Sequence, residues 1–127
     1  MSPDAPCPCG LPKAYRACCG PCHAGEAPAA GAEALMRSRY SAYVLDLRDY
    51  LLATWHASTR PAHLEPAPAG LRWLGLDVRR SSHHGDDAAT VEFVARSKLA
   101  GRAQRLHETS RFVREGGRWY YLDGEVG

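Results

Sequence analysis

Apolar positions recur along this chain in two different periods, and the change from one to the other divides it. From Ala32 to about Leu45, Met36, Tyr40, Tyr43 and Leu47 recur at spacings of three and four, the stripe of one helix. Leu51, Leu52 and Trp55 give a second, shorter helix its buried face. Asp46 is placed to cap it, and Asp49 in its first turn complements the helix dipole. Pro61, Pro66 and Pro68 mark Ala57 to Gly70 as a loop. Beyond it the period drops to two. Leu74, Leu76 and Val78 alternate with small or polar residues, then Val91, Phe93 and Ala95, then Leu106, Glu108, Ser110 and Phe112. Arg118 to about Asp123 makes the last strand.

The turns between these strands set a register. A two-residue loop at Gly116-Gly117 pairs Arg114 with Trp119, Phe112 with Tyr121 and Ser110 with Asp123. A two-residue loop at Gly101-Arg102 pairs Ser97 with Leu106, Ala95 with Glu108, Phe93 with Ser110 and Val91 with Phe112. It sets Glu92 opposite Arg111, a favourable charge pair. One face then collects Val91, Phe93, Ala95, Leu106, Phe112, Trp119 and Tyr121 as the core. The other carries Glu92, Arg96, His107, Thr109, Arg111 and Arg118. Two helices on one face of an antiparallel sheet of about four strands make an α+β domain.

The chain has 127 residues, 45% hydrophobic and 24% charged, enough for one compact domain and a small module. No apolar run is long enough to span a bilayer, so no membrane insertion is expected. MSPDAPCPCG has neither the basic nor the apolar region of a secretory signal, so a cytoplasmic protein is expected. A net charge of only +2 argues against a dedicated nucleic-acid binder.

Cysteine placement changes the picture most. All five cysteines lie between Cys7 and Cys22. A disulfide framework would spread along the chain, whereas clustering in a loop-rich segment points to a metal. Cys7-x-Cys9 offers two thiolates from one tight turn, stiffened by Pro8 and allowed to fold back by Gly10. Cys18-Cys19 offers two more, and Lys13 and Arg16 stand where they can offset the charge of a four-thiolate zinc site. Cys22 and His23 are also in reach, and His23 is an alternative to Cys19. The competing reading is a set of free or redox-active thiols. The chain thus divides into residues 1–24 as a zinc-binding segment, 25–31 as a linker rich in Ala, Gly and Pro, and 32–127 as the α+β domain. The linker suggests that the segment folds apart from the domain.

CPCGLPKAYRACCGPCH resembles the SEC-C motif found at the C-terminus of the SecA translocation motor, C-x-C-x8-C-C/H. GEAPAAGAEALMRSRYSAYVLDLRDYLLATWHASTRP and the terminal RFVREGGRWYYLDGE resemble the YchJ family of uncharacterised bacterial proteins. The resemblance implies a zinc knuckle followed by a cone-like domain of helices packed on a curved antiparallel sheet, similar to nuclear transport factor two. Leu11-Pro12 replaces the more usual Ser-Gly of the family, and Cys22 stands where an aromatic residue is more usual.

Cones of this type often enclose a pocket. The concave face here carries Glu108, Ser110 and Asp123 among Trp119 and Tyr121, with Glu108 beside the small Ala95. Two carboxylates in an apolar surround are a setting for acid–base work. The simpler reading is a buried ion pair, because Arg39 lies within the apolar stripe of the first helix and a buried carboxylate needs a partner. His56, with Trp55, is placed to rim the pocket. His83-His84 beside Asp86-Asp87 reads as a solvated turn. No triad order, phosphate loop or nucleotide motif is present. The sequence therefore favours a non-enzymatic zinc-binding protein that contacts a protein partner through its knuckle. The alternative is a small enzyme or ligand-binding protein using a cone pocket for a small molecule.

Overall fold

The computed structural model describes residues 2–127. A 3₁₀ turn at Tyr15–Ala17 precedes α1 (Gly20–His23), α2 (Ala32–Leu45) and α3 (Arg48–Ala53), followed by β1 (Arg72–His83), β2 (Ala88–Leu99), β3 (Arg102–Glu115) and β4 (Arg118–Val126). The strands form one antiparallel meander in the order β1-β2-β3-β4. The fold is therefore α+β: a few helices packed on one face of a curved sheet, with the cysteine-rich segment at the N-terminus.

Helix α2 has the bounds its periodicity predicts. Asp46 does not cap α3. It ends α2 instead in the left-handed conformation (φ 57°), which Asp tolerates, and its N–H reaches the carbonyls of Ala42 and Tyr43. One side of α2 lies on the sheet. There Leu35, Met36 and Tyr40 join Val91, Phe93, Ala95, Phe112 and Trp119 in the main core. Each of the fully buried side chains among them contributes roughly 1.5–3 kcal/mol through burial.

The sheet departs from the expected register in three places. The β2–β3 turn is Ala100-Gly101, not Gly101-Arg102, with both residues at positive φ (52° and 77°) as a type I′ turn requires. Ala95 therefore faces Leu106, Phe93 faces Glu108, Val91 faces Ser110 and Ala89 faces Phe112. Glu92 faces Thr109 and bonds His107 rather than Arg111. A slip of two leaves every side chain on its expected face, so alternation alone does not detect it.

The other two departures are bulges, and they do move side chains. On β1 an irregularity between Trp73 and Gly75 turns Trp73 inward, edge-on to Tyr40 at 5.6 Å. It leaves Leu74, expected inside, 53% exposed. The β3–β4 hairpin begins as expected, with Arg114 opposite Trp119 and Phe112 opposite Tyr121. A bulge then leaves Leu122 unpaired and puts Asp123 opposite Arg111. The Leu122 carbonyl freed there accepts a hydrogen bond from the Thr59 hydroxyl at 2.6 Å.

The cysteine-rich segment is bonded to the other side of α2. Arg37 Nη1 donates to the Cys9 carbonyl at 2.9 Å, and His23 Nε2 donates to the Ser38 carbonyl at 2.8 Å. The Ser41 hydroxyl lies 3.4 Å from Cys19 Sγ and 3.6 Å from Cys7 Sγ. The segment meets the domain through these contacts, despite the linker between them.

Candidate metal centre and cone cavity

Local chain geometry builds the cysteine cluster. Cys7 N–H bonds the Lys13 carbonyl and Tyr15 N–H bonds the Ala5 carbonyl, making a small hairpin. Gly10 turns that hairpin at φ 91°, with its N–H on the Cys7 carbonyl. The 3₁₀ turn then carries the chain to Cys18 and Cys19. Gly20 must stay glycine, because a Cβ there would lie 2.8 Å from the Tyr15 carbonyl oxygen.

The four sulfurs of Cys7, Cys9, Cys18 and Cys19 all lie within 4.8 Å of one another. A tetrahedron of Zn–S bonds of ~2.3 Å spaces its sulfurs ~3.8 Å apart, and Cys9 Sγ is 3.6 Å from Cys18 Sγ. The residues present thus fit a metal ion. Cys7, Cys9 and Cys19 are buried and Cys18 is partly so. Without a metal the thiols share protons unevenly. A hydrogen bond from Cys19 holds Cys9 down at about 5. Burial, helped by the bond to Cys9, pushes Cys18 up to about 12. The bond it gives Cys9, together with burial, pushes Cys19 up as well. A divalent ion would displace these protons and bind all four as thiolates.

Two alternative ligands are otherwise engaged. With Nε2 donating to Ser38, His23 Nδ1 accepts from the Tyr15 hydroxyl, so both ring nitrogens are used. Burial pushes the His23 pKa down, and its ring stands edge-on to Tyr50 at 4.7 Å. Cys22 is outside the cluster, and its thiol, raised by burial, faces the Tyr50 hydroxyl. Of the two cations expected to offset the centre, Arg16 pairs with Asp4 at 2.6 Å. The centre instead receives Ser41, a residue that sequence reasoning missed. Its signal was a serine three positions after Ser38, with Ala42 beside it, in an otherwise bulky helix.

Between α2 and the sheet lies a cavity of about 300 Å³. Met36, Tyr40, Trp73, Phe93 and Phe112 give it apolar walls, with Tyr43 and Leu106, both partly exposed, among its lining. Arg39, Glu108, Ser110 and Tyr121 supply its polar groups. The expected ion pair is not formed. Arg39 is 5% exposed, and its Nη1 donates to the Leu51 carbonyl and to Thr54 Oγ1, each at 2.7 Å. That carbonyl belongs to the last turn of α3, where helix carbonyls lack partners of their own. The guanidinium carbon sits 4.6 Å from the Tyr121 ring centre and 5.1 Å from that of Trp55, a cation held by ring faces.

Glu108 accepts a hydrogen bond from the Ser110 hydroxyl at 2.6 Å. It lies over Gly124, where a Cβ would come within 2.5 Å of Oε2. Burial, and then the Glu108 charge, push the Tyr121 phenol up to about 12. Asp123 is not on the concave face: the bulge turns it outward onto Arg111 at 2.5 Å. His56 is not on the cavity rim either. Its ring bonds Ser58 Oγ and Glu115 Oε2, both at 2.6 Å, near the β3–β4 turn. Met36 and Tyr43, from the apolar stripe of α2, also line the cavity, as does Trp73, which sequence reasoning missed because placing it required knowledge of the β1 bulge.

A four-cysteine segment on the back of a helix, with a curved sheet and cavity on its front, defines a class of small two-part α+β protein. Residues 31–124 match the family described as YchJ, middle NTF2-like domain. The UPF0225 protein Mpe_A2093 of Methylibium petroleiphilum is 70% identical, over 99% of this chain and 96% of that protein. BPP1723 of Bordetella parapertussis, also a UPF0225 protein, is 60% identical over 98% and 96%. The chain belongs to the YchJ (UPF0225) family. Two solved structures resemble it over nearly its whole length. The solution structure of RPA3114, a SEC-C motif containing protein from Rhodopseudomonas palustris, superposes with a TM-score of 0.84 at 39% identity, covering 97% of this chain and 99% of that one. The crystal structure of a SEC-C motif containing protein from Psychrobacter arcticus gives 0.80 at 29% identity, covering 98% and 84%. Among the described residues no helix is long and apolar enough to cross a membrane.

Proposed function

We propose that this is a zinc-held ligand-binding protein. Cys7, Cys9, Cys18 and Cys19 hold one structural Zn²⁺. The cone cavity takes a small, largely apolar molecule whose acidic group faces Arg39. The thiol-only donor set supports zinc, a soft-to-borderline ion that tolerates four thiolates. Reduced thiols in such a centre are at home in the cytoplasm. The observation that carries the ligand reading is Arg39. It is a buried guanidinium in the cavity wall with no carboxylate on it, and an acidic ligand supplies the missing charge. Apolar walls with few polar groups are the usual make-up of small-molecule sites.

Two measurements test the proposal. Elemental analysis of protein purified without a metal-affinity tag should find one zinc per chain, and a value well below one refutes the zinc assignment. Titration with anilinonaphthalene sulfonate, an aromatic body bearing one sulfonate, should show one saturable site. Arg39→Met should weaken it at least tenfold, and Ala95→Leu should block it by filling the cavity. Equal binding by the Arg39→Met variant would sink the ligand reading.

A second reading keeps the knuckle as a protein-interaction module, in keeping with the SEC-C motif of the solved relatives. Its exposed rim, with Pro3, Pro12 and Lys13, supports that reading. The contacts that bind its inner side to α2 leave only this rim for a partner.

A further inference from the structure

Net charge describes this protein poorly, because its cations are not evenly compensated. Three strand arginines have found an acid: Arg79 holds Asp77, Arg111 holds Asp123 and Glu125, and Arg114 holds Asp87. One corner of the sheet is different. On the face turned away from the helices, Arg96 stands directly opposite Arg105 on the neighbouring strand. In the adjacent row Arg72 stands directly opposite Lys98. All four are exposed, as is Arg102 at the start of β3. Among the described residues none of the five has a carboxylate within ion-pair distance. The nearest acids along these strands are taken, Asp77 by Arg79 and Glu92 by His107.

Like charges directly opposed across a sheet are destabilising. Here two such pairs sit side by side. Directly paired strands lie ~5 Å apart and alternate residues along a strand ~7 Å apart, so Arg72, Lys98, Arg96 and Arg105 form one staggered line of close neighbours across β1, β2 and β3 rather than a scatter. With a net charge of +2 for the whole chain, the remainder of the molecule is net negative. The field is therefore concentrated in one place.

We propose that this corner, formed by Arg72, Arg96, Lys98 and Arg105 with Arg102 at its edge, is a docking surface for the phosphate backbone of a nucleic acid. Three features favour that occupant. The array repeats, which suits a polymer of regularly spaced charges. Four of the five cations are arginine, whose planar fork matches phosphate in two-point contact. The β1 bulge exposes Leu74 between Arg72 and the Arg96 row, an apolar spot on which a sugar or base can rest. Among the described residues no helix or aromatic side chain protrudes there to read bases, so recognition is of the backbone and independent of sequence.

The test is fluorescence anisotropy of a labelled 15-nucleotide single-stranded RNA with the full-length protein. Four phosphate contacts on a single strand give a log–log salt slope of about −2.8, so affinity should fall about 50-fold between 50 and 200 mM salt. Arg96→Glu with Arg105→Glu should weaken binding at 50 mM salt at least tenfold and flatten that slope. Arg96→Glu alone, which converts a repulsive pair into an attractive one and so keeps the sheet folded, should also weaken it. Arg60→Glu with Arg118→Glu makes the same change in net charge elsewhere and should leave affinity within about twofold. Absence of RNA binding at 50 mM salt, or an equal loss in the Arg60/Arg118 variant, would overturn the proposal. So would displacement of the RNA by a decaglutamate peptide or by phosphatidylglycerol vesicles at matched charge, which would assign the corner to an acidic protein or a membrane.

Discussion

The two sides of helix α2 do opposite things with the same backbone. Its back carries Ser38 and Ser41, small residues that let the cysteine segment approach until hydroxyl meets sulfur. Its front carries Met36, Arg39, Tyr40 and Tyr43, large residues that hold the sheet off and leave a cavity of about 300 Å³. The back is closed by directional bonds and a cluster built for an ion. The front is closed only in part, by burial. Size at each position, more than polarity, separates a sealed interface from an open one.

The largest effect expected is on the back. If the cluster holds the proposed zinc, Cys9→Ser or a strong chelator should remove it, and such binding supplies roughly 10–16 kcal/mol in zinc-finger peptides. Because Arg37, Ser38 and Ser41 bond the segment, the loss should also lower the melting temperature of the α+β domain in calorimetry. Loss of circular dichroism signal from residues 2–24 alone, with the main transition unmoved, would show two independent units and break the comparison.

A smaller effect is expected on the front. Gly124→Ala places a methyl group against the Glu108 carboxylate. The cost should be about 1–3 kcal/mol, the usual range for overpacking. Denaturant unfolding of Gly124→Ala with Glu108→Ala should recover most of it. Failure to recover would mean that the strain lies in the β4 bulge rather than in the cavity wall.

The smallest concerns the join between segment and helix. Burial holds the His23 pKa below its usual 6.5 in the folded protein. The unfolded chain then binds more protons, so stability is fully present above about pH 6.5. It declines as pH falls from there toward the lower folded pKa. Substituting His23→Gln should flatten that slope in thermal melts between pH 7 and 5, and an unchanged slope would place its origin in other groups.

Much of this molecule was legible in its chain because the relevant physics is local. Cysteine spacing within a dozen residues brings four sulfurs together whatever the rest does. The period of α2 predicts its bounds, and Gly116-Gly117 predicts the last hairpin. What the chain alone left open depends on atoms far apart in sequence. Alternation has a period of two, so it is blind to a register shift of two, and only packing of the whole sheet chose Ala100-Gly101 for the turn. A bulge adds one residue at a place no pattern marks, yet it decides that Trp73 faces in and that Leu74 and Asp123 face out. With Asp123 gone from the concave face, and Glu108 taken by Ser110, the nearest acceptors for Arg39 were the end of α3 and two ring faces. The partner of a buried charge is whichever group the finished fold brings within reach, and that distance exists only once helix, bulge and strand are all in place.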